Sequence, residues 1–249
     1  MTLTELADFV TTKLSDTDSV SVTECKKFVN RRYQMIWDSG LWTETMGVAS
    51  EDVLAEATEI SLSTPPTIFF YQKSSDTSAD RRIDFPVALK FTKSGKEDGT
   101  MLLNDSWMTF FQIDPNAWEN LSTRRATPTN FMNLPKDAEG FCRIKPVPVP
   151  KDDGSVFVLG KLKWVELEDS ATPALNGIDN ALLAFVEGDM LERSRQYSKA
   201  QVKFTEAASH IQIMRDMEKG QRQSISRIIP YVYYQYNFRE TMADFGPKS

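Results

Sequence analysis

Apolar residues recur at helical spacing near both ends of the chain and at strand spacing between them. Residues 2–15 put Leu3, Leu6, Val10 and Leu14 on one helical face, and Thr2 followed by Glu5 forms a capping box at its start. The polar run Asp16 to Ser19 ends that helix. Ser21 with Glu24 reads as a second capping box, and Val22, Cys25, Val29, Arg32, Tyr33 and Ile36 continue as a stripe that stops at Gly40. Residues 1–40 are thus predicted to form a helical hairpin whose second helix ends in two indoles, Trp37 and Trp42, that plug a core.

From about 52 to 170 the period shortens. Ile60 and Leu62, the run Ile68 to Tyr71 and the run Phe85 to Phe91 are strand-prone, and polar turn-rich stretches at 73–80 and 93–99 separate them. Around Lys151-Asp152-Asp153-Gly154 the segments 141–150 and 156–167 read as a hairpin, the second arm alternating through Val156, Val158, Leu162 and Trp164 on one face. Pro146, Pro148 and Pro150 in the first arm fit only if its amide side is an unpaired edge or leaves the sheet. A proline-rich ligand is the alternative for them. Asp114-Pro115 opens a short helix through Trp118 and Leu121, followed by a loop from Arg124 to Pro135.

After Pro173 the helical period returns. Ile178, Leu182, Phe185, Val186 and Met190 form one stripe; Ser198 with Gln201 caps a further helix carrying Phe204, Ala207, Ala208, Ile211 and Met214. A second helical hairpin is predicted over about 177–220. The class expected is α+β: a discontinuous helical bundle of residues 1–50 and 171–224, an inserted antiparallel β-rich domain at 51–170, and an extended C-terminal arm at 225–249. With no long apolar stripe left over once the helices pack, the isolated chain is expected to be a monomer that assembles on a template.

Composition narrows the partners. The 249 residues, 41% hydrophobic and 26% charged, suit one large domain or two modest ones, and the net charge of -6 argues against a surface built to neutralise phosphates. Cys25 and Cys142 show no metal spacing and suit a reducing compartment. Glu5 and Asp8 stand where a secretory signal carries positive charge, and no run approaches the roughly 18 apolar residues needed to cross a bilayer.

Catalytic signatures are sparse. The one histidine, His210, lies between Ala207 and Ile211 on a helix and reads as a boundary residue; no nucleophile elbow, phosphate loop, zinc or calcium motif accompanies it. Glu187, Asp189 and Glu192 are close in sequence and could serve a carboxylate-dependent hydrolase, or form a solvated acidic face. The doublets Arg31-Arg32, Arg81-Arg82 and Arg124-Arg125 are too scattered for a nucleic-acid stripe and suit links between subunits. No catalytic, cofactor or metal residues are assigned, and no enzyme activity is expected.

The segment RIIPYVYYQYNFRE, residues 227–240, concentrates Ile228, Ile229, Pro230, Tyr231, Tyr233, Tyr234, Tyr236 and Phe238 close to the end of the sequence. Burying five rings of about 200 Å² each at about 25 cal/mol per Å² offers roughly 20–25 kcal/mol, and ordering about 15 residues costs a similar amount. Such an arm is marginal alone and ordered against a matching surface, either its own subunit or a partner.

Residues 181–230, ALLAFVEGDMLERSRQYSKAQVKFTEAASHIQIMRDMEKGQ and onward to RIIP, resemble the C-terminal helical segment of the head-to-tail adaptor (connector) proteins of tailed bacteriophages. VTECKKFVNRRYQMIWDSGLW, residues 22–42, resembles that family's opening helix, and FCRIKPVPVP, residues 141–150, its proline-bearing strand. The middle, about 72–140, matches in general layout only. The resemblance implies a helical bundle with an inserted β domain, and a structural virion protein at the capsid–tail junction, made in the host cytoplasm. It implies a homo-oligomeric ring of twelve copies beneath the portal protein that extends the DNA channel, contacts a tail or nozzle protein and binds no specific DNA sequence. It also makes residues 228–238 a portal-docking arm. Rivals are a tail-tube or head-completion protein of other symmetry, the hydrolase above, and a peptide-binding helical module.

Overall fold

The computed structural model describes residues 1–66, 68–69, 82–96, 98–104 and 125–226, with side chains for all of these except 68–69 and 220–226. Contacts group residues 1–176 as one compact unit and 177–249 as a second. The first two helices therefore share a unit with the sheet, whereas the sequence places the breaks at 50 and 170.

The first hairpin forms as its periodicity predicts. Helix α1 (Leu3–Lys13) starts on the Thr2 capping box, with both reciprocal hydrogen bonds to Glu5 made, and buries Leu3, Leu6, Ala7 and Val10. Helix α2 (Ser19–Asp38) is capped by Asp18, whose carboxylate accepts from the Val20 and Ser21 amides. The second capping box is thus displaced. Ser21 is inside the helix, its hydroxyl donates to Asp18, and it is buried. An Asp two residues ahead of the first apolar position outcompetes Ser as acceptor because it brings charge to the positive helix end.

The sheet is mixed. Its order is β2-β8-β7-β5-β4-β10-β1-β3, from β1 (Met46–Val53), β2 (Ile60–Ser61), β3 (Ile68–Phe69), β4 (Ile83–Lys93), β5 (Gly99–Asn104), β7 (Asn130–Leu134), β8 (Arg143–Val147) and β10 (Gly154–Leu162). Most pairs are antiparallel, but β5 runs parallel to β7, and β6 (Arg125–Ala126) runs parallel to β9 (Val149–Pro150) as a separate pair. The α+β class is as expected, and the antiparallel sheet admits these two parallel pairs. Ile60, Ile144, Phe131, Leu102, Leu89, Phe91, Val156, Val158, Ala49 and Val53 form one buried core that runs across the sheet from β2 to β1.

The Asp-Gly hairpin is not formed. β10 has the predicted alternation, with Val156, Val158 and Leu162 buried, but its neighbours are β1 and β4. The arm before the turn pairs with β7 through β8 and then leaves the main sheet as β9. Its three prolines lack ladder donors, so they are compatible with that departure and not with the centre of a continuous hairpin.

Unit 1 is tied together across the sheet edge of α2. Trp37 Nε1 donates to the Leu162 carbonyl at 3.1 Å, and Trp42 Nε1 to the Ile36 carbonyl at 2.9 Å; both indoles are buried, as predicted. The strand residue Lys161 is buried and donates to the carbonyls of Trp37 and Gly40 at 2.7 and 2.9 Å, satisfying acceptors that a helix C-terminus leaves open. Residues 167–174 strap the helices down through hydrogen bonds between Leu167 and Asn30, from Leu3 N–H to the Ala171 carbonyl, and from Ala174 N–H to Tyr33.

Candidate functional site

The second unit is a two-helix hairpin. Helix α3 (Ile178–Arg193) follows Gly177, which adopts a left-handed φ of 72° as its N-cap, and helix α4 (Tyr197–Ser226) returns after a three-residue turn. The predicted stripe Ile178, Leu182, Phe185, Val186 and Met190 is buried, as are Ala207, Ile211 and Met214; Ala208 is exposed, and Ser198 lies inside the first turn of α4. The interface has a specific close approach. Gly188 leaves room for Phe204, whose ring also sits 6.3 Å from that of Phe185.

Contacts of Phe185, Glu187 and Gly188 with Lys203 and Phe204 fix the pairing of the two helices. Continuing it, Ile178 lies opposite about residue 213, so the last dozen residues of α4 run about 18 Å beyond the start of α3. The projecting end leads directly into residues 227–240. The predicted docking residues Ile228, Ile229, Pro230, Tyr231, Tyr233, Tyr234, Tyr236 and Phe238 lie outside the described residues, as do Asp114 to Leu121.

The acidic trio does not act as a set. Glu187 is buried and pairs with Lys203 at 2.9 Å, Asp189 is half-buried about 200° around the helix from it, and Glu192 is exposed. The solvated-face reading is corrected for Glu187, which belongs to the hairpin interior. Lys203 also pairs with Glu206 at 2.7 Å, and the hydrogen bond to Glu206, followed by that to Glu187, raises its pKa above the ordinary 10.5. The sequence offered no local sign of this pairing, because Glu187 and Lys203 meet only when the hairpin closes.

His210 is half-buried on α4, as a boundary residue should be. Cys25 and Cys142 are buried thiols; burial pushes the Cys142 thiol up, and its Sγ lies 2.8 Å from the Asp84 carbonyl. Of the arginine doublets, Arg82 donates to the Glu139 carbonyl at 2.7 Å and covers the Phe141 ring, and Arg125 pairs with Glu56, all within the chain. Among the described residues, no group of three or more His, Cys, Asp or Glu side chains is placed to hold a metal ion, and no helix is long and apolar enough to cross a membrane.

Large apolar side chains do remain exposed. α4 shows Val202, Ile213 and Met217; the sheet shows Phe85, Met101, Leu103 and Phe157; Met1, ahead of α1, and Phe9 within it line an open depression with Glu5, Asp8, Thr12 and Lys13. The expectation that no apolar stripe is left over is therefore corrected. No protein-family model and no curated protein matches this chain.

Proposed function

We propose that the chain is a structural subunit of a larger assembly, and that the assembly is the head-to-tail junction of a tailed bacteriophage. The observation that carries this reading is α4, which outruns its partner helix and continues in sequence into the aromatic segment. A helix that served only its own hairpin would need no more length than α3; the surplus is a lever. In this reading copies form a ring, taken as twelve, under the portal protein. The arm from Ile228 to Phe238 grips the portal, the β-rich part meets a tail or nozzle protein, and DNA passes through the channel without sequence-specific contact. The particle, after synthesis in the host cytoplasm, is its place of work. No cofactor or catalytic step enters.

Repetition explains how a marginal arm suffices. Each docking event gains little after ordering costs, but arms fixed on one ring act at high effective concentration, so small gains accumulate into a stable joint. Deletion of 227–249 tests the reading. The shortened chain is expected to keep its helical circular dichroism and to lose co-sedimentation with portal rings. Undiminished portal binding would refute the docking role.

A further inference from the structure

One apolar patch lies on the outer face of the sheet. In register, Phe157 of β10 is opposite Lys90 of β4, and Lys90 is opposite Met101 of β5; Phe85 and Leu103 belong to the same face. The other face holds Val156, Val158, Leu89, Phe91 and Leu102 in the core. The four large apolar residues of the outer face are 43–68% exposed. Lys90 stands between Phe157 and Met101 and its side chain lies over Gly99, toward the β4–β5 turn, where a Cβ would meet Lys90 Cε at 2.1 Å.

A second patch runs along α4. Val202, Glu206, Ser209, Ile213 and Met217 follow one another at intervals of four, three, four and four residues, on the side opposite the buried Ala200, Ala207, Ile211 and Met214. Its three apolar members are 57–65% exposed, and Glu206 and Asp216 are exposed beside them.

We infer that these two faces meet between copies of the chain, α4 of one covering the β10-β4-β5 face of the next. Helix on sheet is a standard way to bury both elements. The dimensions match. The stripe from Val202 to Met217 is about 22 Å long on a helix about 10 Å across, and the sheet patch measures roughly 16 by 10 Å from strand rise and spacing. Charge adds to this, with Lys90 reaching over the β4–β5 end of the sheet patch and the carboxylates of Glu206, which also holds Lys203, and Asp216, which also faces Lys219, along the helix. Seven half-exposed side chains offer about 600–700 Å² of apolar surface, the apolar share of an interface at the small end of the standard class. The faces are unlike, so the contact is head-to-tail and its repetition builds a ring or a filament. One such contact is weak, and closure strengthens it.

The test uses the full-length chain. Equal parts of ¹⁵N-labelled and unlabelled protein, at up to about millimolar concentration, with and without portal rings, are treated with a carbodiimide that joins a touching amine and carboxylate as an amide with loss of water. Peptide mass spectrometry is expected to find Lys90 joined to Glu206 or Asp216 in mixed-isotope pairs. F157E and I213E, both at exposed positions, are expected to lower that yield about tenfold, equivalent to about 1.4 kcal/mol of contact, with circular dichroism unchanged. Links confined to same-isotope pairs would show α4 covering its own sheet and overturn the inference; so would the absence of any Lys90–α4 link under both conditions. The chain lacking 227–249 is expected to lose portal binding and to keep the Lys90–α4 links formed without portal rings, so this inference and the docking role fail separately.

Discussion

Replacing Gly188 by alanine sets two effects of opposite sign against each other. In a helix interior the change is intrinsically favourable by about 1 kcal/mol. Here the new Cβ would lie 2.5 Å from Phe204 Cε1, 2.7 Å from Cδ1 and 3.1 Å from Cζ. Carbon atoms settle at about 3.5–4 Å, so the ring or the helix must retreat by about 1 Å. The ring is confined by Phe185, and a retreat of α4 also stretches the 2.9 Å pair between Glu187 and Lys203. Overpacking of this kind costs about 1–3 kcal/mol, so the net loss in G188A is about 1 kcal/mol, localised to the α3–α4 hairpin. Native-state hydrogen exchange of α3 and α4 amides reads it directly. In an F204A background the clash is gone, and the same substitution should then slow exchange. Slower exchange for G188A in the otherwise unchanged protein would refute the packing argument.

Further outcomes follow from unit 1. At Gly160 a Cβ would meet Ile83 Cγ2 at 2.4 Å and the Phe85 carbonyl oxygen at 2.9 Å, and since backbone cannot step aside, G160A should lower stability in urea unfolding by about 2–3 kcal/mol. K161M leaves the Trp37 and Gly40 carbonyls without their donor and should cost about 1–3 kcal/mol. Burial lowers the Lys161 pKa below 10.5, so the folded state sheds its proton first; wild-type stability relative to K161M should rise as pH climbs through that window to 10.5. Asp18 has its pKa lowered from 3.8, chiefly by the Ser21 amide and against a smaller desolvation effect. The stability it confers is present above pH 3.8 and is lost as pH falls through the folded value. D18N should keep the cap and lose that acid dependence in helical circular dichroism; unchanged acid behaviour in D18N would sink the assignment.

The adaptor reading and the copy-to-copy contact place different demands on one helix. The buried side of α4 closes the hairpin, its outward side offers Val202, Ile213 and Met217, and its end continues in sequence into residues 227–240. Because these lie on different parts of the helix, I213E is expected to lose the copy-to-copy links and the arm deletion to keep them.

The sequence by itself determined what depends on neighbours a few residues away. The Thr2–Glu5 box, the stripes of α1 and α2, the α3 stripe and the alternation of β10 all follow from side chains within one turn or one pleat, where propensity and periodicity act. Nothing local to Gly188 names the Phe204 ring that it admits. Only the tertiary structure decided which strands flank β10, because antiparallel neighbours are chosen by burial of a shared face and by where proline lacks a donor, not by proximity along the chain. It likewise decided that Lys161 and Glu187 are inside and what they touch. Their partners are contributed by segments 16 to more than 120 residues away, and a charge is kept buried only where folding has already brought such a partner to it.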